Sequence, residues 1–171
     1  MNKKTKITMG IAAAVVAVLG LGYAGFLALL PPDRKSMEAY YSRDVADLTV
    51  VAAFLAQYEA DSVSLTAANI SGEEVAVSVL APGVTIQNTT VRDAVKRLLQ
   101  EKGYRLIAKA GDTVWFEKHY AFGTERGMAH CRSGAQKPAV PFLTAYEAME
   151  TENWTGWYYY EANYEKYRAG T

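Results

Sequence analysis

The run from Ile7 to Leu30 holds 24 residues and no charge. About 20 helical residues cross a hydrocarbon core, and a helix satisfies its own backbone there. Gly10, Gly20, Gly22 and Gly25 are tolerated in such a setting. Pro31-Pro32 then stops the helix, since proline lacks a donor and drives its predecessor out of the α region. The run predicts one membrane-spanning helix, with a tethered domain after it. A signal peptide cleaved after Ala24 is the competing reading, because Gly22-Tyr23-Ala24 offers small residues at a suitable spacing. Apolar residues continue through Leu30, which is long for a signal peptide and favours the uncleaved anchor. No cysteine directly follows the run, so a lipoprotein anchor is not expected. Lys3, Lys4 and Lys6 precede it and a mixed Asp33-Arg34-Lys35 follows, which puts the N-terminus inside. The expected location is the bacterial inner membrane, single-pass, with the N-terminus cytoplasmic and the C-terminal domain periplasmic. The Ala/Val/Gly content suits packing against a second span and leaves an oligomer open, although Gly22-x-x-Gly25 lacks the GxxxG spacing.

The zero formal net charge conceals a split. Three of the 18 basic residues precede the span, so residues 31–171 carry 15 against 18 acidic ones. A mildly acidic domain without a basic patch is not built to hold nucleic acid by charge. Cys131 is the one cysteine. It excludes a disulfide within the chain and a Cys-rich zinc site, so the fold must rest on its own core.

Four segments follow from the pattern: 1–32, cytoplasmic tip and transmembrane anchor; 33–43, a polar juxtamembrane stretch; 44–119, an α+β interaction domain; 120–171, a loop and an aromatic-rich extension. Asp44 to Glu59 reads as a helix, with Val45, Leu48, Ala52, Leu55 and Ala56 on one face and Val51, Phe54 and Tyr58 widening it. Ser62–Ala67 and Glu73–Val79 alternate as strands, the second with Val75, Val77 and Val79 on its apolar face. Thr90 reads as the cap of a second helix, with Val91, Ala94, Val95, Leu98 and Leu99 at helical spacing and Gly103 as its stop. A hairpin follows, Tyr104–Lys109 and Thr113–Lys118 around Ala110-Gly111-Asp112. From Tyr120 glycines and Pro138 read as a loop without period. Seven Trp and Tyr residues then fall between Trp154 and Tyr167. The predicted class is α+β: a single N-terminal transmembrane helix, a small two-helix, four-strand domain and the aromatic segment.

Residues 44–119 resemble the short N-terminal signalling domain shared by secretins and TonB-dependent receptors. "DLTVVAAFLAQYEADSVSL" resembles its first helix and strand, and "TVRDAVKRLLQEKGYRLIAKAGDTVWFEK" its second helix and hairpin. The second half is also similar to envelope proteins of pilus and conjugation systems. Two departures stand out: Ala60-Asp61 where the family often has glycine, and a long Leu80–Asn88 connection. The resemblance implies a small interaction module of an envelope machine, with other envelope proteins as partners, and not an enzyme.

Chemical motifs are sparse. His130-Cys131 could supply two metal ligands or a thiolate and its base, but neighbours in sequence rarely converge on one ion and no third ligand is spaced nearby. Gly123–Gly127 lacks the Gly-Lys-Ser/Thr ending of a P-loop, and no GxSxG or HExxH is present. Asn69, Asn88 and Asn153 head glycosylation-type triplets, of consequence only in a eukaryotic source. No catalytic residue, metal ligand or cofactor is expected. The candidate interface is aromatic: Trp154, Trp157, Tyr158, Tyr159, Tyr160, Tyr164 and Tyr167, with Tyr104 and Trp115 from the hairpin. Covering the core is the competing role for these rings, and contact with sugar rings or the membrane interface is a third. The expected function is a bitopic inner-membrane protein whose periplasmic domain binds a partner in a secretion, pilus or conjugation assembly, by pairing to an edge strand. The alternative is an accessory single-span subunit of a respiratory or transport complex, and the third is a membrane-anchored enzyme.

Overall fold

The computed structural model describes residues 32–60, 62–77, 84–132, 142–149 and 156–165. The expected span at 7–30, Trp154 and Tyr167 lie outside the described residues. The chain divides into two units, Met1–Pro31 and Pro32–Thr171, and the following account concerns the second. Among the described residues no helix is long and apolar enough to cross a membrane.

Helix α1 spans Arg34–Gln57. The polar stretch at 33–43 and the helix expected from Asp44 are therefore one continuous element. Asp33 caps it, its carboxylate accepting from the Ser36 amide at 2.9 Å and the Ser36 hydroxyl at 2.7 Å. Those two bonds hold the Asp33 carboxyl below the usual carboxylate range. The buried stripe runs Met37, Tyr41, Asp44, Leu48, Val51 and Leu55, a spacing of three and four. Val45, expected inside, is exposed, and Asp44 and Asp47 are inside instead.

Strands β1 (Ser62–Leu65), β2 (Ile70–Ser71), β3 (Glu74–Val77) and β4 (Val84–Thr85) follow. Helix α2 spans Thr89–Lys96, and Asn88 caps it by accepting from the Val91 amide at 3.2 Å. The expected cap, Thr90, lies within the helix. Over Arg97–Glu101 the helix widens by one residue per turn, with the Lys102 amide donating to the Arg97 carbonyl. Val91, Ala94, Val95, Leu98 and Leu99 are buried, as their spacing predicts. Gly103, at φ +69°, lets the Tyr104 amide return to the Leu98 carbonyl at 3.0 Å.

The remaining strands are β5 (Leu106–Ala110), β6 (Thr113–Ala121), β7 (Thr124–Cys131), β8 (Leu143–Ala148) and β9 (Trp157–Asn163). Six strands form one antiparallel sheet in the order β1-β5-β6-β7-β9-β8, and β2-β3-β4 form a small second sheet. The domain is α+β, but its described residues form nine strands, six of them beginning within 44–119, where four were expected. The loop expected from Tyr120 is instead the end of β6, a turn and the interior strand β7. The aromatic segment supplies β9. The Tyr104–Lys118 hairpin also lies inside the sheet, so it offers no edge for pairing; the described edges are β1 and β8.

One face of the large sheet packs on the helices through Val63, Leu65, Ile107, Phe116, Met128 and Trp157. A polar cluster ties this layer together. Asp44, 1% exposed, accepts from Arg43 at 2.8 and 2.9 Å and from the Tyr104 hydroxyl at 3.0 Å, with Lys102 at 3.3 Å. Asp47 binds Arg97 at 2.6 Å and Lys102 at 2.7 Å. Lys118 donates to the Lys102 carbonyl and sits over the Tyr104 and Tyr40 rings. Burial pushes the Asp44 and Asp47 carboxyls up, but these bonds outweigh it and hold both below the ordinary value of 3.8. Since the unfolded chain binds these protons more tightly, their contribution is present above that value and lost as pH falls below it. Asp44→Ala should lower stability by roughly 2 kcal/mol, because it strands the Tyr104 hydroxyl and one face of Lys102. Chemical unfolding at pH 7 measures the loss, and an unchanged midpoint would remove the cluster from the core's determinants.

Candidate functional site

Strand alternation places a second set of side chains on the face away from the helices. Registers align Leu106 with Glu117, Ala108 with Trp115, and Trp115 with Ala129. They continue through Gly127 with Tyr160, Glu125 with Ala162, Tyr160 with Tyr146, and Ala162 with Leu143. A solvated sheet face would be polar, but this one is apolar and aromatic. Ala129, Leu143, Tyr160 and Ala162 form its buried centre, with Trp115, Phe142 and Tyr146 against them.

Gly127 makes the centre possible. A Cβ there would come within 2.1 Å of the Phe116 carbonyl oxygen and 2.9 Å of the Tyr160 ring. Tyr160 therefore extends over Gly127 and meets Trp115 edge-on at 4.9 Å. Phe142 and Tyr164 pair at 4.5 Å. Between these two pairs is a cavity of about 190 Å³, floored by Ala108, Ala110 and Ala162 and closed at one end by Glu117 and Glu125.

The acidic end is electrostatically uneven. Glu117 is 6% exposed and accepts from Arg105 at 2.8 Å, while Arg105 also lies over the Tyr120 ring at 5.1 Å. Burial pushes the Glu117 carboxyl up, Glu125 adds to this, and Arg105 offsets part of it. Glu125 is half-buried and takes one hydrogen bond, from the Tyr164 hydroxyl at 3.3 Å. Its carboxyl is raised by burial, and the Tyr164 hydroxyl is pushed up to about 12 by burial and by Glu125. Tyr160 is 3% exposed and raised well above its ordinary value by burial.

A β-bulge sets the rim. Lys118 has no partner between the Glu117–Gly127 and His119–Arg126 pairs. The shift puts Tyr120 opposite Glu125, on the cavity's side of the sheet. The turn beyond is Phe122-Gly123, with φ of +52° and +72°. Two left-handed residues match a tight turn of the I′ kind, and glycine suits the second position.

The expected interface residues divide between the faces. Trp115, Tyr158, Tyr160 and Tyr164 come together on the outer face, with Tyr158 stacked on Tyr146 at 4.4 Å. Trp157 and Tyr159 belong to the helix side and are buried; Trp157 packs on Tyr41 at 5.2 Å and Phe116 at 5.6 Å. Tyr104 is buried against Asp44. Glu117, Glu125 and Phe142 line the cavity without having been expected, and Tyr120 and Phe122 stand apart from it at the hairpin tip. His130 and Cys131 point to opposite faces of β7, His130 against the Trp157 ring at 4.9 Å, so they hold no ion together. Among the described residues no group of three His, Cys, Asp or Glu is placed to bind a metal.

No known family pattern, curated protein sequence or solved structure matches this chain.

Glu117 titrates in a testable way. Its folded carboxyl holds a proton more tightly than the unfolded chain does, so acidification from neutral pH toward the ordinary value of 4.5 relieves the ionised form's penalty. Glu117→Gln cannot titrate. The variant's melting temperature relative to the wild type should be highest at neutral pH and fall as the pH is lowered toward that value. A pH-independent difference would show that Glu117 is not held in a desolvated site.

Proposed function

We propose that this chain is a membrane-anchored protein-binding module. Its α+β domain would stand on the periplasmic side of a bacterial inner membrane and dock onto another component of an envelope assembly of secretion, pilus or conjugation type. The observation that carries this reading is Phe122. It is 87% exposed at the tip of the β6–β7 turn and adopts φ +52°. A large aromatic in that region is strained by roughly 1–2 kcal/mol relative to residues that favour it. An exposed apolar ring at a strained position has no folding role to account for it. Tyr120, 47% exposed on the same tip, adds a second ring with a polar end. The uncharged run at 7–30 supports the tether, and the likeness of 44–119 to secretin and receptor signalling domains supports the kind of assembly.

Three experiments bear on it. A photo-crosslinking phenylalanine analogue in place of Phe122 should join the full chain, in intact cells, to a secretin-like or pilus component. Phe122→Asn should reduce co-purification of that component at least tenfold in mild detergent while raising thermal stability, since asparagine tolerates the left-handed region. Recovery of the wild-type chain alone and monomeric would overturn the docking role. Integral multi-span subunits in its place would favour an accessory-subunit role. A reporter active only in the periplasm, fused after Thr171, should be active; activity of a cytoplasmic reporter alone would overturn the orientation.

A further inference from the structure

We infer that the outer-face cavity binds a small ligand with an apolar body of about one ring and a protonated amine. This goes beyond protein docking at the hairpin tip and uses a different set of residues.

Size comes first. An apolar cavity of about 150 Å³ accommodates benzene. The cavity here is about 190 Å³, which leaves room for a ring and a short stem. Alanines at 108, 110 and 162 keep the floor low, and Trp115 and Phe142 provide apolar walls.

Charge selects the head group. The described residues lining the cavity include two carboxylates, Glu117 and Glu125, and no lysine, arginine or histidine. Arg105 pairs with Glu117. Glu125 forms no ion pair with any described residue, and its one hydrogen bond comes from Tyr164. Tyr160 lines the same space and is 3% exposed. A half-buried carboxylate thus faces the cavity with acceptor capacity unused.

An ammonium group answers it. It brings three donors and no acceptor, and its charge pairs with Glu125. A ring that turns its face to the cavity also favours a cation, because the quadrupole is negative there. An anion would meet two carboxylates. A neutral ligand would leave Glu125 desolvated without a counter-charge.

The test uses the full chain in lipid nanodiscs, titrated calorimetrically with benzylamine, benzyl alcohol and benzoate. Benzylamine should bind at least tenfold more tightly than benzyl alcohol, and benzoate should not bind. Glu125→Gln should weaken benzylamine at least tenfold and leave benzyl alcohol within twofold. Ala162→Phe, which fills the floor, should abolish binding of both; Ala108→Phe repeats the plug from β5, on the other side of the cavity, and a cooperative melt verifies that each folds. Equal affinity for amine and alcohol, benzylamine binding that survives both plugs, or no binding by the wild type would each overturn the inference. Phe122→Asn should leave benzylamine binding unchanged, so failure here and failure of partner docking are distinguishable.

Discussion

A six-stranded sheet with its helices on one side must find other cover for its second face. That constraint organises the domain. The helix side is filled by α1, α2 and the small sheet. The outer side is covered by the sheet's own rings, laid across neighbouring strands where small residues make room. Tyr160 over Gly127 is the central case, since no other residue fits beneath that ring. Such self-cover leaves gaps over small side chains, and the cavity is lined by two alanines of β5 and one of β9.

On the helix side, registration depends on charge as much as on shape. Asp44 occupies a position on the buried stripe that an aliphatic residue could fill. Its partners are Arg43 on α1 itself and Lys102 and Tyr104 in the connection from α2 to β5. A shift of α1 by one turn would bury the carboxylate without Lys102 and Tyr104, at an energy well above what a repacked methyl group involves. Asp47 reinforces the same register through Arg97 and Lys102. The lowered carboxyls and the opposed, raised pair on the outer face give the two sides opposite responses to acid.

Parts of this were legible in the sequence. Helix α2 and the β5–β6 hairpin are local, each with one apolar face and glycine punctuation, so periodicity and turn chemistry suffice. Strand β7 was hidden because it is buried on both faces by different means. Met128 serves the helix side, while Gly127 and Ala129 sit beneath rings on the other, and Thr-Glu-Arg-Gly reads as a loop. Strand β9 drew notice as a ring cluster, but a run of aromatics carries no period of two, so its division between faces could not be read. Asp44 looked like a boundary because an isolated acid is a poor core residue; its partners lie up to 60 residues away. The cavity was illegible for the same reason, being assembled from strands whose order is non-sequential. The one available signal was Phe122-Gly123, a turn dipeptide between two alternating stretches.

Lys118 has a consequence beyond its contacts. Along an unbroken strand, Trp115 and Glu117 would share their face with His119 and Ala121, and Tyr120 would point toward the helices. The unpaired residue resets the count, and everything distal to it is turned over. The hairpin tip is thus governed by parity: removing one residue anywhere between Glu117 and His119 would invert the tip as a unit, whereas exchanging Lys118 for another side chain would leave its facing intact. Chain length, rather than side-chain identity, decides at this point which rings the domain shows to its surroundings.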